Sequence, residues 1–176
     1  MKMETIQYGG WKNCVRLSNG RIELVATTDV GPRVIRLGFV GGQNLFKECT
    51  DQLGQTGGDT WHAYGGHRLW HAPEAQPRTY QPDNAPVAHR WDGKTLQLTQ
   101  AVETATGIQK EMEITLAGDA NRVTVLHRLT NQGQWAVELA PWALTVMNGG
   151  GRAIFPQEPP RPHAEQLLPV RPLMSV

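Results

Sequence analysis

The sequence predicts an all-β chain, an antiparallel β-sandwich, and three observations carry the prediction. Gly 19 and Pro 12 among 176 residues exceed ordinary usage and disfavour long helices. Apolar and polar residues alternate over short, β-branched runs, which is the period of a half-buried strand. Turn signals such as Asn19-Gly20 and Asp92-Gly93 separate those runs at hairpin spacing.

The first two runs, Trp11 to Leu17 and Arg21 to Thr27, flank Ser18-Asn19-Gly20, where Asn-Gly suits the positive φ angles of a tight turn. Within the second, Ile22 and Leu24 share a face, with Arg21 and Glu23 opposite. Asp29 to Pro32 turns the chain into a third strand, Arg33 to Val40, closed by Gly41-Gly42, and a fourth is expected to start at Asn44 to Phe46.

From Asp51 to Pro86 glycines and prolines break the pattern. An excursion of that length is either functional or disordered, and its Trp and His content argues against disorder. Inside it a short extended piece is predicted, with His67, Leu69 and His71 alternating with Arg68 and Trp70.

Strands then resume. Val87 to Trp91 and Lys94 to Gln100 form a hairpin across a type I′ signal at Asp92-Gly93. Ile108, Met112, Ile114 and Leu116 mark the next strand, interrupted by Lys110. In Arg122 to Thr130, the residues Val123, Val125, His127 and Leu129 line one face. Gln134 to Met147 is a further run, and its Pro141, which cannot donate to a ladder, marks a bend, bulge or edge. Asn148 to Gly151 is a turn rather than a phosphate cradle, since no helix bearing Lys and Ser/Thr follows. Pro156 to Pro172 carries no regular pattern. No linker divides the chain, so residues 1–176 read as one domain.

Composition narrows the partners. A formal net charge of +1 and the absence of any Lys/Arg run give no reason to expect nucleic acid. No apolar run approaches the ~20 residues of a spanning helix, and the N-terminus lacks an apolar leader core, so no membrane partner and a cytoplasmic location are expected. Cys14 and Cys49 are too few for a disulfide framework or zinc ribbon and read as buried or incidental thiols.

The candidate site is Trp61-His-Ala-Tyr-Gly-Gly-His-Arg-Leu-Trp-His-Ala-Pro-Glu74, hinged at Gly65-Gly66. Nowhere else does the chain gather so many groups able to stack on a sugar ring, bind hydroxyls or hold a proton near neutral pH. His62, His67 and His71 with a carboxylate also suggest a second reading, a metal-dependent sugar-processing enzyme, although their spacing matches no helical zinc motif. The preferred reading calls for no metal and no cofactor. His127, on an apolar face, reads as a satisfied sheet residue. Lys110, Glu111 and Glu113 read as a solvated, charged strand face, and His89 and His163 carry no signal.

Four segments resemble the galactose mutarotase-like superfamily, which includes the aldose 1-epimerases. They are Asn19-Gly-Arg-Ile-Glu-Leu-Val25 with Val30 to Leu37, then Gly65 to Glu74, the hairpins through Leu129-Thr-Asn131, and Leu139 to Gly151. Their order is similar over nearly the whole chain, closest to an uncharacterised bacterial branch. The resemblance implies a β-supersandwich that binds a small-molecule carbohydrate in a cleft. Mutarotation needs an acid at the ring oxygen and a base at the anomeric hydroxyl. His67, His71 and Glu74 are the candidates, with Arg33, Trp61, His62, Arg68, Trp70 and Trp142 as sugar contacts.

Two departures limit the inheritance. The strand of epimerases that presents a catalytic histidine corresponds to Ala143 to Met147, where Thr145 and its neighbours offer none. The family's base lies in further strands, beyond where this chain stops at Val176. Sugar binding with at most residual epimerase-type activity is therefore expected. The alternative is a truncated, non-catalytic module whose uncovered edges pair into a homo-oligomer.

Overall fold

A computed structural model of the chain describes residues 1–155. Ten strands and no helix occur among the described residues, arranged as two antiparallel sheets packed face to face. They are β1 Lys2–Tyr8, β2 Trp11–Ser18, β3 Ile22–Thr27, β4 Arg33–Phe39, β5 His67–Ala72, β6 Ala88–Trp91, β7 Thr95–Thr99, β8 Ile108–Leu116, β9 Val123–Asn131 and β10 Ala140–Thr145. The six-stranded sheet runs β1-β2-β3-β4-β5-β10 and the four-stranded sheet β6-β7-β8-β9. The β-sandwich expected from the alternation is present.

The interior joins alternate residues of both sheets. Val15, Leu17, Leu24, Ala26, Val34 and Leu69 from one meet Leu96, Leu98, Met112, Ile114 and Leu116 from the other. Full burial of each larger aliphatic side chain stabilises by about 1.5–3 kcal/mol. A second apolar cluster lies on the outer face of the six-stranded sheet, where Trp11, Cys14, Val25, Val30, Ile35 and Tyr64 pack together. The residues before β5 cover that face, so the excursion has a core of its own.

The turns differ in detail from expectation. At both hairpins only the glycine has positive φ, Gly20 at 87° and Gly93 at 95°, so neither turn is type I′. Asn19 and Asp92 instead accept backbone N–H groups through their side chains: Arg21 and Ile22 donate to Asn19, and Lys94 and Thr95 to Asp92. Asn44 to Phe46 forms no strand; Phe46 makes one isolated bridge, to Met147. Strand β1 has no counterpart in the sequence reading, because Lys2 and Glu4 blur its alternation.

The Lys110 expectation is overturned. Its parity with Ile108 and Met112 turns it inward, 2% exposed, and its ammonium lies 2.5 Å from Glu103 Oε1. Glu111 and Glu113 do face outward, and both pair with Arg128. Pro141 sits in β10, an edge strand among the described residues, where its missing N–H costs no ladder bond on the free side. The Pro-rich segment and His163 lie outside the described residues. Among the described residues no helix is long and apolar enough to cross a membrane.

Candidate functional site

Strand β5 organises the site because its two faces do different things. It pairs with β4 through Arg33↔Arg68 and Val34↔His67, and with β10 through Trp142↔Trp70, Ala143↔Leu69 and Thr145↔His67. Arg68 and Trp70 therefore share the outer face with Arg33 and Trp142. His67 and His71 share the inner face with Leu69. The extended geometry and shared side of the two histidines match the sequence reading, but the strand itself separates them from the sugar contacts expected beside them.

Two glycines let the chain enter β5. Gly65 and Gly66 have φ of 104° and 69°, and a Cβ at either would sit inside van der Waals contact with the Lys47 or Val34 carbonyl. Only glycine fits such a close backbone approach. Just before them, Tyr64 takes φ of 50°, unusual for a residue with a side chain. It is held there by its hydroxyl donating to Asn84 Oδ1 at 2.9 Å and by an edge contact with Trp11 at 5.5 Å between centroids. Burial, with Asp83 nearby, pushes the Tyr64 phenol up to about 12.

Arg33 is fully enclosed and is not open to a ligand. It donates to the Ala63 and Gly65 carbonyls at 2.7 Å each and pairs with Asp83 Oδ2 at 2.8 Å. Its planar fork thus ties β4 to both loops that cover the sheet. Arg33 builds the site from beneath.

Above it lies an aromatic cluster. Trp70 is buried at the centre, with ring centroids of Trp61, Tyr80 and Trp142 at 5.6, 5.1 and 5.4 Å, all edge-to-face. Trp61, Tyr80 and Trp142 remain half-buried. The Arg68 guanidinium stacks 4.5 Å from the Trp70 ring and 5.1 Å from Trp61, and donates to the Ala63 carbonyl at 3.2 Å. Burial, reinforced by Arg33, lowers the Arg68 pKa. His62 is half-buried beside Tyr64. Glu74 is exposed and accepts the Tyr80 hydroxyl. The face thus presents flat apolar edges around a fixed cation, which suits a ring carrying hydroxyls.

The inner-face histidines belong to two other groups. His67 Nδ1 lies 2.7 Å from Thr145 Oγ1, and its Nε2 lies 2.8 Å from Nε2 of His127, across the gap between the sheets. Burial first, then His127 and Arg33, push His67 down to about 4. Burial also lowers His127. His127 is thus a satisfied sheet residue as expected, with a histidine as its partner.

His71 is 1% exposed. Arg78 donates to its Nδ1 at 2.6 Å, which leaves the ring proton on Nε2, 3.6 Å from Glu103 Oε2. Thr106 donates to the same oxygen at 2.6 Å. Burial lowers His71 against the opposing pull of Glu103. Both nitrogens of His71 face protein groups, so neither is free to serve a substrate on the aromatic face. His62, His67 and His71 form no common group: among the described residues no three His, Cys, Asp or Glu side chains are placed to hold a metal ion.

Sequence reasoning missed Tyr80, Arg78, Asp83 and Glu103. All four lie in irregular segments where no periodicity assigns a face; Tyr80 alone had a signal, an aromatic ring in the same excursion. Comparisons with protein-family models, curated proteins and solved structures found no match to this chain.

Proposed function

We propose that this chain is a carbohydrate-binding β-sandwich domain, with the sugar lying on the outer face of the six-stranded sheet against Trp61, Tyr80 and Trp142. One observation carries the reading: three half-buried rings surround the buried Trp70, with the Arg68 guanidinium stacked on Trp70 and Trp61. Stacking on the C–H face of a pyranose and charge-assisted hydrogen bonds from Arg68 to hydroxyls are the interactions such a surface offers. The motif resemblance to galactose mutarotase-like proteins supports the same ligand class. The reading is binding rather than turnover, because His67 and His71 lie on the opposite face of β5, away from the rings.

Saturation-transfer NMR with a panel of aldoses tests it. Saturable binding near ~1–10 mM is expected, weakened about 5-fold or more by Trp142→Ala or Trp61→Ala. No saturable signal from any aldose, or two alanine variants that bind like the parent, refutes it.

A second reading, assembly, rests on a separate observation. The β9 and β10 edges are open among the described residues, and Leu126, Trp135, Val137, Val146 and Met147 on or next to them are exposed, Trp135 by 81%. An open strand edge with apolar flanks recruits another strand, here from a second copy. Light scattering decides: a dimer at micromolar concentration is expected, and a clean monomer removes the reading.

A further inference from the structure

Away from the aromatic face, a cavity of about 520 Å³ opens beside His71. That volume falls within the ~300–1,000 Å³ usual for small-molecule sites. Pro77, Ile108, Val137 and Leu139 supply apolar wall, and Arg78 is its one positive group among the described residues. Glu138, a carboxylate of the lining, is exposed on its loop, where water screens its charge.

Arg78 is held in place. One Nη donates to His71 Nδ1 at 2.6 Å and the other to the Pro73 carbonyl. A guanidinium carries five N–H groups; with two so engaged, three remain. The Nε2–H side of His71 faces Glu103 Oε2 at 3.6 Å, and Glu103 is itself paired with Lys110 and accepts from Thr106. Lys110, Glu103 and His71 are 2%, 6% and 1% exposed, so a buried polar chain runs from β8 to the cavity wall. The His71 Nε2 atom within it has no hydrogen-bond partner. A buried row of charges is costly to maintain for stability alone. Here it immobilises one cation at an apolar hollow.

We propose that this cavity is a second binding site, distinct from the aromatic face, that takes a small aliphatic carboxylate. The carboxylate meets the remaining N–H groups of Arg78, and the hydrocarbon portion covers Ile108, Val137 and Leu139. Because the guanidinium is already oriented, little rotamer freedom is lost on binding. An inorganic anion leaves the aliphatic wall wet, and a sugar finds no aromatic ring in it.

Calorimetric titration of the 176-residue chain with isocaproate, isocaproamide and inorganic phosphate tests the assignment. Isocaproate is expected to bind saturably, and the amide and phosphate each at least about 10-fold more weakly, the scale of one charge-assisted hydrogen-bonded pair. Arg78→Gln lowers isocaproate affinity about 10-fold or more, while Trp61→Ala leaves it unchanged. Leu139→Asn, on the wall away from the buried chain, also weakens binding, which keeps the test decisive if Arg78→Gln folds poorly. No saturable isocaproate binding up to about 20 mM overturns the proposal. So does an amide or phosphate that binds as well as the acid, or full affinity in both cavity variants.

Discussion

The His67–His127 contact makes the stability of the sandwich depend on pH in a way that one substitution isolates. His67 is held neutral by burial, with His127 and Arg33 adding repulsion to its charged form, and titrates at about 4 instead of 6.5. The unfolded chain therefore takes up this proton first. The contribution of His67 is complete above about pH 6.5, fades as pH falls towards 4 and changes no further below it. Between pH 7 and pH 5 the full displacement corresponds to about 2 kcal/mol. The ring sits partly open at the rim, and solvent screening brings the figure to about 1–2 kcal/mol. His67→Gln removes the titration while keeping a polar side chain opposite Thr145. Urea denaturation followed by circular dichroism, at both pH values, gives the stability lost by each protein. The parent is expected to lose about 1–2 kcal/mol more than His67→Gln over that interval. Equal losses would falsify the account of His67 as a buried, neutral partner of His127. His71, which does not touch His67, titrates in both proteins and cancels in the difference, and the measured term belongs to the His67–His127 pair.

Two further substitutions address the parts of the chain that hold the sites. Lys110→Met leaves Glu103 buried without its ammonium, so thermal or chemical denaturation at pH 7 should show a loss of about 3–5 kcal/mol, and a neutral effect would mean that the Lys110–Glu103 pair does not hold the fold. Gly66→Ala places a Cβ against the Val34 carbonyl at φ of 69° and is expected to cost more than about 1 kcal/mol in the same assay. An unchanged midpoint would show that β4 and β5 separate easily.

The hairpins and the sandwich were legible because they rest on local rules. Asn19-Gly20 and Asp92-Gly93 mark turns, and the alternation from Ile108 to Leu116 assigns an inner face. The parity of His67, Leu69 and His71 was readable for the same reason. What escaped depends on partners far apart in sequence. Lys110 occupies an inward position of a regular pattern, but its charge argues for water until Glu103, in a loop without periodicity, is brought beside it. Arg33 looks like a ligand contact until the Ala63 and Gly65 carbonyls and Asp83 close over it. His127 gives no sign of His67, which lies 60 residues away in the other sheet. Face assignment follows from spacing; what meets across the gap between two layers does not.

The segment before β5 also determines how the aromatic face behaves when something lands on it. Tyr64 locks into Trp11 and Asn84, Trp11 Nε1 donates to the Gln55 carbonyl at 2.9 Å, and Arg33 anchors both ends of the turn. Such a mounting works as a plinth rather than a flap. Its freedom is spent when the chain folds, so an arriving molecule meets a finished contour and selectivity comes from fixed spacings between rings. Hydrogen exchange in residues 61–66 should accordingly be as slow without a ligand as with one.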